Sequence, residues 1–358
     1  MRTRAVLPLG AAALIVVMAA GCSKATSPPA SGDTEAKAGS THTVYLSNNF
    51  LGNDFRVQMT KTAQVAAGKA PLKGAVDLHV ENSDNSVQAQ IASLNSIILK
   101  KPDAIIVDPG SPTGLNSVLE RACSQGILII AFDQEVTAPC AYNVQIDWNA
   151  ASQTGANWLA QTLKGNGTIL QDTGLAGVSV SDDLNKGFQT ALAQYPNLRV
   201  AGTYQGQYAQ GPEQQGVSSL LASNARVDGI LTQGYCTGAM KALQSAGRAM
   251  PAMYCQAYNG TFVACAKNNM PCLITSNPPW IGAQAVKTAV DILNGNKPAS
   301  KKITLDSPCF ITNDVQPQGK TCEKIMLGKN AYPNLPPGTV LPVSPPWTTI
   351  EPGEVTGG

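Results

Sequence analysis

Two stretches, Lys101-Pro-Asp-Ala-Ile-Ile-Val-Asp-Pro-Gly110 and Ile127-Leu-Ile-Ile-Ala-Phe-Asp-Gln134, decide how the rest of the chain is read. Each is a short unbroken apolar run closed by an acid and then by a turn-forming or polar residue. A strand covered on both faces shows this continuous pattern, whereas a strand with one wet face alternates. Between the two runs, Leu115, Val118, Leu119 and Ala122 recur at helical spacing. Strand, helix, strand at this separation places two parallel strands in one sheet with the helix packed across it.

The same unit repeats in both directions. Buried-strand runs occur at Thr43–Ser47, Ala75–Val80, Ala104–Val107, Ile127–Phe132 and Asn143–Ile146. A second series follows at Gly167–Gln171, Leu198–Thr203, Gly229–Thr232, Ala252–Gln256 and Cys272–Thr275. Val87, Ile91, Leu94 and Ile98 share one helix face, as do Trp158, Leu159 and Leu163, and later Ala285, Val286, Ala289, Val290 and Leu293. Two such series predict an α/β protein with two parallel sheets, each layered by helices on both faces. The body runs from about Thr41 to Asp314, long enough for two domains of ordinary size.

The front end has a different composition. Arg2 and Arg4 precede an apolar stretch, Ala5 to Ala20, which ends in Gly21-Cys22. This is the pattern of a secretory signal, residues 1–21, with Cys22 at the cleavage point. Residues 22–40 are rich in Ser, Ala, Gly, Thr and Pro, a composition that buries too little apolar surface to offset its ordering entropy, and read as a flexible linker. Residues 329–358 are dense in Pro and Gly and read as an irregular tail.

The chain holds nine cysteines, so Cys22 leaves an even set of eight. In an oxidising compartment an even set implies a disulfide framework. Many complete pairings are open to sequence; nearness along the chain favours Cys123–Cys140, Cys236–Cys255, Cys265–Cys272 and Cys309–Cys322. A zinc site fits less well, because there is no CxxC pair and both histidines, His42 and His79, lie far from the cysteines. No metal and no cofactor are expected. The net charge of +2 and the lack of any Lys/Arg-rich run offer no electrostatic footprint for nucleic acid.

In open α/β sheets ligands bind beyond the carboxyl ends of the strands. Those ends carry Asn53, Phe55 and Arg56 in the first unit, then Asp108, Asp133 with Gln134, and Asp147 with Trp148. In the second series they carry Tyr235, Tyr258 with Asn259, and Asn277, while Asp182 opens a helix. Carboxylates and amides serve the hydroxyls of a small polar ligand, and an aromatic face covers its C–H side. The same residue types are also ordinary turn and helix-cap residues.

These runs, in this order, resemble the ribose/galactose-type periplasmic solute-binding proteins of ABC sugar transporters. The likeness is carried by Thr43 to Ser47 with Phe55, by Lys101 to Pro109 and by Ile127 to Gln134. It continues through Gly174-Leu-Ala-Gly177-Val-Ser with Lys186-Gly-Phe-Gln, Ala239 to Arg248, and Pro278 to Ala285. The resemblance implies the type I fold: two Rossmann-like lobes with parallel sheets joined by a three-strand hinge. The crossings would fall near Gln145–Asp147, Ser276–Pro278 and Leu305–Pro308. An N-terminal lobe of residues 41–146 plus 277–306 would face a C-terminal lobe of 147–276 plus 307–328.

The resemblance further implies that Asp133 grips ligand hydroxyls, that Phe55 stacks on the ligand, and that Tyr258 and Asn259 occupy a polar position. It implies a monomer and an ABC permease as partner. Separately, Ala19-Ala20-Gly21-Cys22 resembles the lipobox of bacterial lipoproteins, with Ala19 where Leu is usual, which implies a lipid anchor on the outer face of the membrane or in the periplasm, the alternative being a plain cleaved signal with an incidental cysteine. The chain departs from that pattern at Gln134, where an Arg is common, near Leu184, where a second Arg is expected, and at Arg56, which replaces an aromatic. These departures put ribose, galactose and glucose in doubt; Arg56 suggests a ligand acceptor group, so sugars, polyols and sugar acids all remain candidates.

An exported hydrolase is the rival of another class. It lacks support: Gly177-Val-Ser179-Val-Ser181 has no closing glycine for a nucleophile elbow, and neither histidine follows a strand end. A lipoprotein presenting a bound signal molecule to a membrane receptor would use the same fold and cleft.

Overall fold

The computed structural model describes residues 40–356 of the 358. The signal segment, Cys22 and all but the last residue of the linker lie outside the described residues. Through the first half the chain runs β1 (His42–Asn48), α1 (Asp54–Ala67), β2 (Val76–Asn82), α2 (Val87–Leu99), β3 (Ala104–Asp108), α3 (Asn116–Ser124), β4 (Leu128–Phe132), β5 (Tyr142–Ile146) and α4 (Trp148–Thr162). It continues with β6 (Gly167–Asp172), α5 (Ser179–Leu192), β7 (Leu198–Tyr204), α6 (Gln210–Ser223), β8 (Gly229–Leu231), α7 (Cys236–Ser245), β9 (Ala252–Gln256), α8 (Asn259–Asn268) and β10 (Cys272–Thr275). The last part holds α9 (Ile281–Leu293), β11 (Lys302–Leu305), β12 (Cys309–Ile311), β13 (Glu323–Lys324) and α10 (Pro352–Thr356).

Two sheets result. The first has the order β11-β5-β4-β3-β1-β2, parallel throughout. The second has the order β13-β12-β10-β9-β8-β6-β7, with β10–β12 its antiparallel pair. The ten expected strands are present within a few residues; β11, β12 and β13 had no apolar run to announce them, being short and, in β11 and β13, partly exposed.

The continuous apolar runs are explained by burial on both faces. In β3, Ala104 and Ile106 join one core layer, while Ile105 and Val107 join the other with Leu94, Ile98, Val118 and Leu119 from α2 and α3. Fully burying each such side chain contributes about 1.5–3 kcal/mol. Helix starts follow local chemistry. Asn53 caps α1 by accepting from the Arg56 amide at 2.9 Å, and Ser86 caps α2 by accepting from Ala89 at 3.0 Å.

Each sheet with its helices forms a lobe, and the chain passes between them three times. It leaves β5 for α4 at Asp147, leaves β10 for α9 through Ser276–Trp280, and leaves β11 for β12 through Asp306–Pro308. The crossings are tied together: the Ser276 amide donates to the Pro308 carbonyl at 3.0 Å, and the Ser307 hydroxyl donates to the Ser276 carbonyl at 2.9 Å. The four disulfides are Cys123–Cys140, Cys236–Cys255, Cys265–Cys272 and Cys309–Cys322. Three of them lie in the second lobe.

The Pro/Gly-rich tail packs as a strap on both lobes. On the second lobe, Leu341 donates to the Ala257 carbonyl at 2.9 Å, and the amides of Asn259 and Gly260 donate to Thr339 and Pro337 at 2.7 and 2.8 Å. On the first lobe, Gln58 of α1 donates to the Gly338 carbonyl and accepts from the Val340 amide, both at 2.9 Å. Trp347 donates to Gln284 of α9 at 2.9 Å. Prolines suit this segment because an irregular strap has few ladder bonds to lose. Gln58→Ala removes both hydrogen bonds to the strap and leaves the Val340 amide without a partner. A loss of about 2 kcal/mol is expected, read from urea unfolding.

Candidate functional site

Parallel strands aim all their carboxyl ends at the same edge, and the two lobes bring those edges face to face. Between them lies a cavity of about 500 Å³, within the usual span for small-molecule sites of roughly 300–1,000 Å³. The first lobe supplies Asn49, Asn53, Phe55, Arg56, Asp133 and Gln134. The second supplies Leu175 to Val178, Gln207, Tyr208, Gln233 and Tyr258, with Trp148 and Asn277 from the crossings and Val340 from the strap.

Arg56 organises the first-lobe wall. It is buried, and its Nη1 donates to Asn48 Oδ1 at 2.9 Å while contacting the Asp108 carboxylate. Its Nη2 lies 3.7 Å from Asp133 Oδ2. Asp133 in turn accepts from Asn277 Nδ2 at 2.7 Å. Burial pushes Asp108 well above the usual carboxylate range against the pull of Arg56, and the nearby Asp133 adds to the push. Asp133 is raised too, burial outweighing Arg56 and Asn277. One cation therefore stands between two acids, and the wall has no surplus positive charge. Asp133 also holds a backbone φ of 64°, a costly conformation for a residue with a side chain, and such outliers concentrate at sites that need an aimed group.

Several buried polar atoms of the lining have no protein partner: Trp148 Nε1, Asn277 Oδ1 and Asn49 Oδ1. Each such atom costs about 1–3 kcal/mol while it stays unpaired, and the amides and carboxylate of the lining, Gln134, Gln233, Asn277 and Asp133, offer both donors and acceptors. Phe55, Trp148 and Tyr258, all buried, supply apolar ring surface beside these atoms. Tyr258 is braced from behind by Tyr235, with ring centroids 3.9 Å apart and nearly parallel planes.

Of the residues singled out in the sequence, Asn53, Phe55, Arg56, Asp133, Gln134, Trp148, Tyr258 and Asn277 line the cavity. Five lie outside its lining, each for a visible reason. Asp108 is fully buried behind Arg56. Asp147 is exposed and caps α4, accepting from the Ala150 amide at 2.9 Å. Asp182 is exposed in the first turn of α5. Tyr235 backs Tyr258 and donates to Asp54 of the other lobe at 3.2 Å. Asn259 spends its side chain on the strap, donating to the Tyr332 carbonyl and accepting from its amide, both at 2.9 Å. Arg56 is no solvated edge residue but a buried one. Sequence reasoning did not select Asn49, Tyr208, Gln233, Gln256 or Val340, which also line the cavity.

Comparison with known proteins agrees with this architecture. A model of the periplasmic binding protein domain matches residues 44–297. The xylitol-binding protein of Mycolicibacterium smegmatis is 29% identical over 177 residues, 48% of this chain and 51% of that protein. The match thus spans about half the length of that relative. The ribose import binding protein of Escherichia coli is 22% identical over 277 residues, 76% of this chain and 91% of that one. Among solved structures, an ABC transporter solute binding protein from Thermobispora bispora superposes with a TM-score of 0.69 at 26% identity, covering 76% of this chain and 86% of that one. A periplasmic solute binding protein from Actinobacillus succinogenes with bound D-allose superposes at 0.67 and 20% identity, covering 75% and 97%, a likeness of fold. With the family model spanning well over half of its length, the chain belongs to the periplasmic binding protein domain family.

Proposed function

We propose that this chain captures a neutral polyhydroxylated solute, a sugar or a polyol, between its lobes and hands it unchanged to an ABC import permease. The observation that carries this reading is the cavity lining, in which Asp133, Gln134, Gln233 and Asn277 lie beside the rings of Phe55, Trp148 and Tyr258. Hydroxyls satisfy both kinds of partner, and the rings cover the C–H faces between them. Relatives named for xylitol and ribose import fit the same chemistry.

Arg56 argues against a sugar acid. It is already engaged by Asp108 and Asp133, so an anionic guest would compete with two acids for one guanidinium. Asp133 accepts from ligand hydroxyls on the side that Asn277 leaves free. The lobes close on the solute because it binds the closed form better than the open one. The protein works outside the cytoplasm, as a monomer held to the membrane through lipidated Cys22, and the segment 22–40 is its tether. Among the described residues no helix is long and apolar enough to cross a membrane.

A thermal-shift screen over pentoses, hexoses, polyols, sugar acids and nucleosides tests the ligand class. A neutral sugar or polyol at a hundredfold excess over its Kd should add about 2.7 kcal/mol of stability. A shift confined to sugar acids or nucleosides sinks the reading. Against the best neutral ligand, Asp133→Ala should weaken binding by about tenfold or more in calorimetry, the loss of one charged hydrogen bond. Arg56→Met leaves two buried carboxyls facing each other without their cation and should cost about 3 kcal/mol in unfolding free energy. That cost should shrink as pH falls, since both carboxyls sit above their ordinary range and take up protons early.

A further inference from the structure

The second-lobe wall of the cavity is made by three separate loops, those after β6, β7 and β8. They are joined at one buried carboxylate. Asp172 Oδ1 accepts from the amides of Gly174 at 2.8 Å and Gly206 at 2.7 Å, and its Oδ2 accepts from the amide of Gln233 at 3.0 Å. Each loop then delivers lining residues: Leu175 to Val178, Gln207 with Tyr208, and Gln233.

A second acid, Glu213 of α6, lies beside Asp172. Both are fully buried. The two carboxyls flank Gly206 so closely that a Cβ there would strike Glu213 Oε2 and Asp172 Oδ2 together, which is why only glycine fits. Glu213 Oε1 accepts from the Tyr204 hydroxyl at 2.5 Å, while Oε2 has no donor facing it. The ionisable groups nearest the pair are Tyr204 and Tyr208, and neither carboxyl has an ion-pair partner among the described residues. Two carboxylate oxygens cannot approach each other in a dry site unless a proton lies between them.

We propose that Glu213 keeps its proton in the folded protein and, by donating it to Asp172, acts as a positioning residue that holds the three loops of the second-lobe wall in register. Asp172 takes the charge because three backbone amides point at it. Glu213 takes the proton because it has only the Tyr204 hydroxyl, and burial together with the Asp172 charge pushes its carboxyl well above the usual range. That the wall serves a ligand rests on the reading above; the protonation of the pair does not.

The sign of the pH effect follows. A carboxyl raised in the folded state stabilises below its unfolded value, and that contribution is lost as pH climbs to the folded value. Opening of the loops lets Glu213 meet water and release its proton. Between the ordinary and the raised value, the opening equilibrium should therefore grow by about tenfold per pH unit, one proton's worth.

Glu213→Gln is the deciding variant: its amide donates to Asp172 and its carbonyl still accepts from Tyr204, with no proton to lose. Amide exchange at Gly174, Gly206 and Gln233 would be followed in the ligand-free protein from mildly acidic to alkaline pH, after correction for the intrinsic chemical rate. Wild type should lose protection with rising pH as stated, and Glu213→Gln should stay protected with a flat profile. Glu213→Ala should be poorly protected throughout. Parallel profiles for wild type and Glu213→Gln overturn the proposal, as does a Glu213→Gln protein no better protected than Glu213→Ala. Because no ligand is added, failure here is separate from failure of the sugar screen.

Discussion

Every functional feature of this molecule depends on the directionality of parallel strands. A parallel ladder forces each connection to return along the outside of the sheet, so the loops that follow the strands gather at one edge. Two sheets built this way, with three chain crossings between them, place one loop-bearing edge opposite the other. The cavity is what remains between the edges. Asn49 after β1, Asp133 after β4, Gln233 after β8 and Tyr258 after β9 come from distant parts of the sequence, yet each sits at the same kind of position.

Placing polar groups at such edges carries a cost in buried charge, and the two lobes meet it differently. The first lobe sets one guanidinium between two acids, Arg56 with Asp108 and Asp133. The second has no cation to use and instead surrounds Asp172 with backbone amides and a neighbouring carboxyl. Both arrangements leave the cavity without excess positive charge, and both fix loop geometry before any guest arrives. Pre-organisation of this kind lowers the ordering cost of binding.

Much of this was legible in the sequence, for physical reasons that can be named. Ile105 and Ile106 face opposite layers and both must be apolar, so a doubly covered strand writes an unbroken run that is hard to mistake. Nearness along the chain picked out the four disulfides because each closes a local unit, a helix or strand tied to a strand or loop close by in sequence. At the site, Asp133 and Phe55 were visible as residues just past a buried run. Asp147, Asp182 and Asn259 share that signature yet point elsewhere, since an acid or amide beside a helix start caps and latches as readily as it binds. Tyr208 and Val340 carried no such mark. Tyr208 lies in a left-handed turn several residues beyond β7, and Val340 belongs to a segment whose composition reads as loose. Their positions are set by long-range packing, which periodicity does not record.

The interleaving of the chain has a consequence for the order in which the molecule can be made. The first sheet takes its edge strand β11 from Lys302–Leu305, and α9 covers that sheet from Ile281–Leu293, so the first lobe is incomplete until both have been synthesised. Val340, which lines the cavity, is added later still. Neither lobe is complete before the chain has passed Leu305, since the second sheet takes β12 and β13 from beyond it. Late completion of this sort ties the two halves into a common folding event.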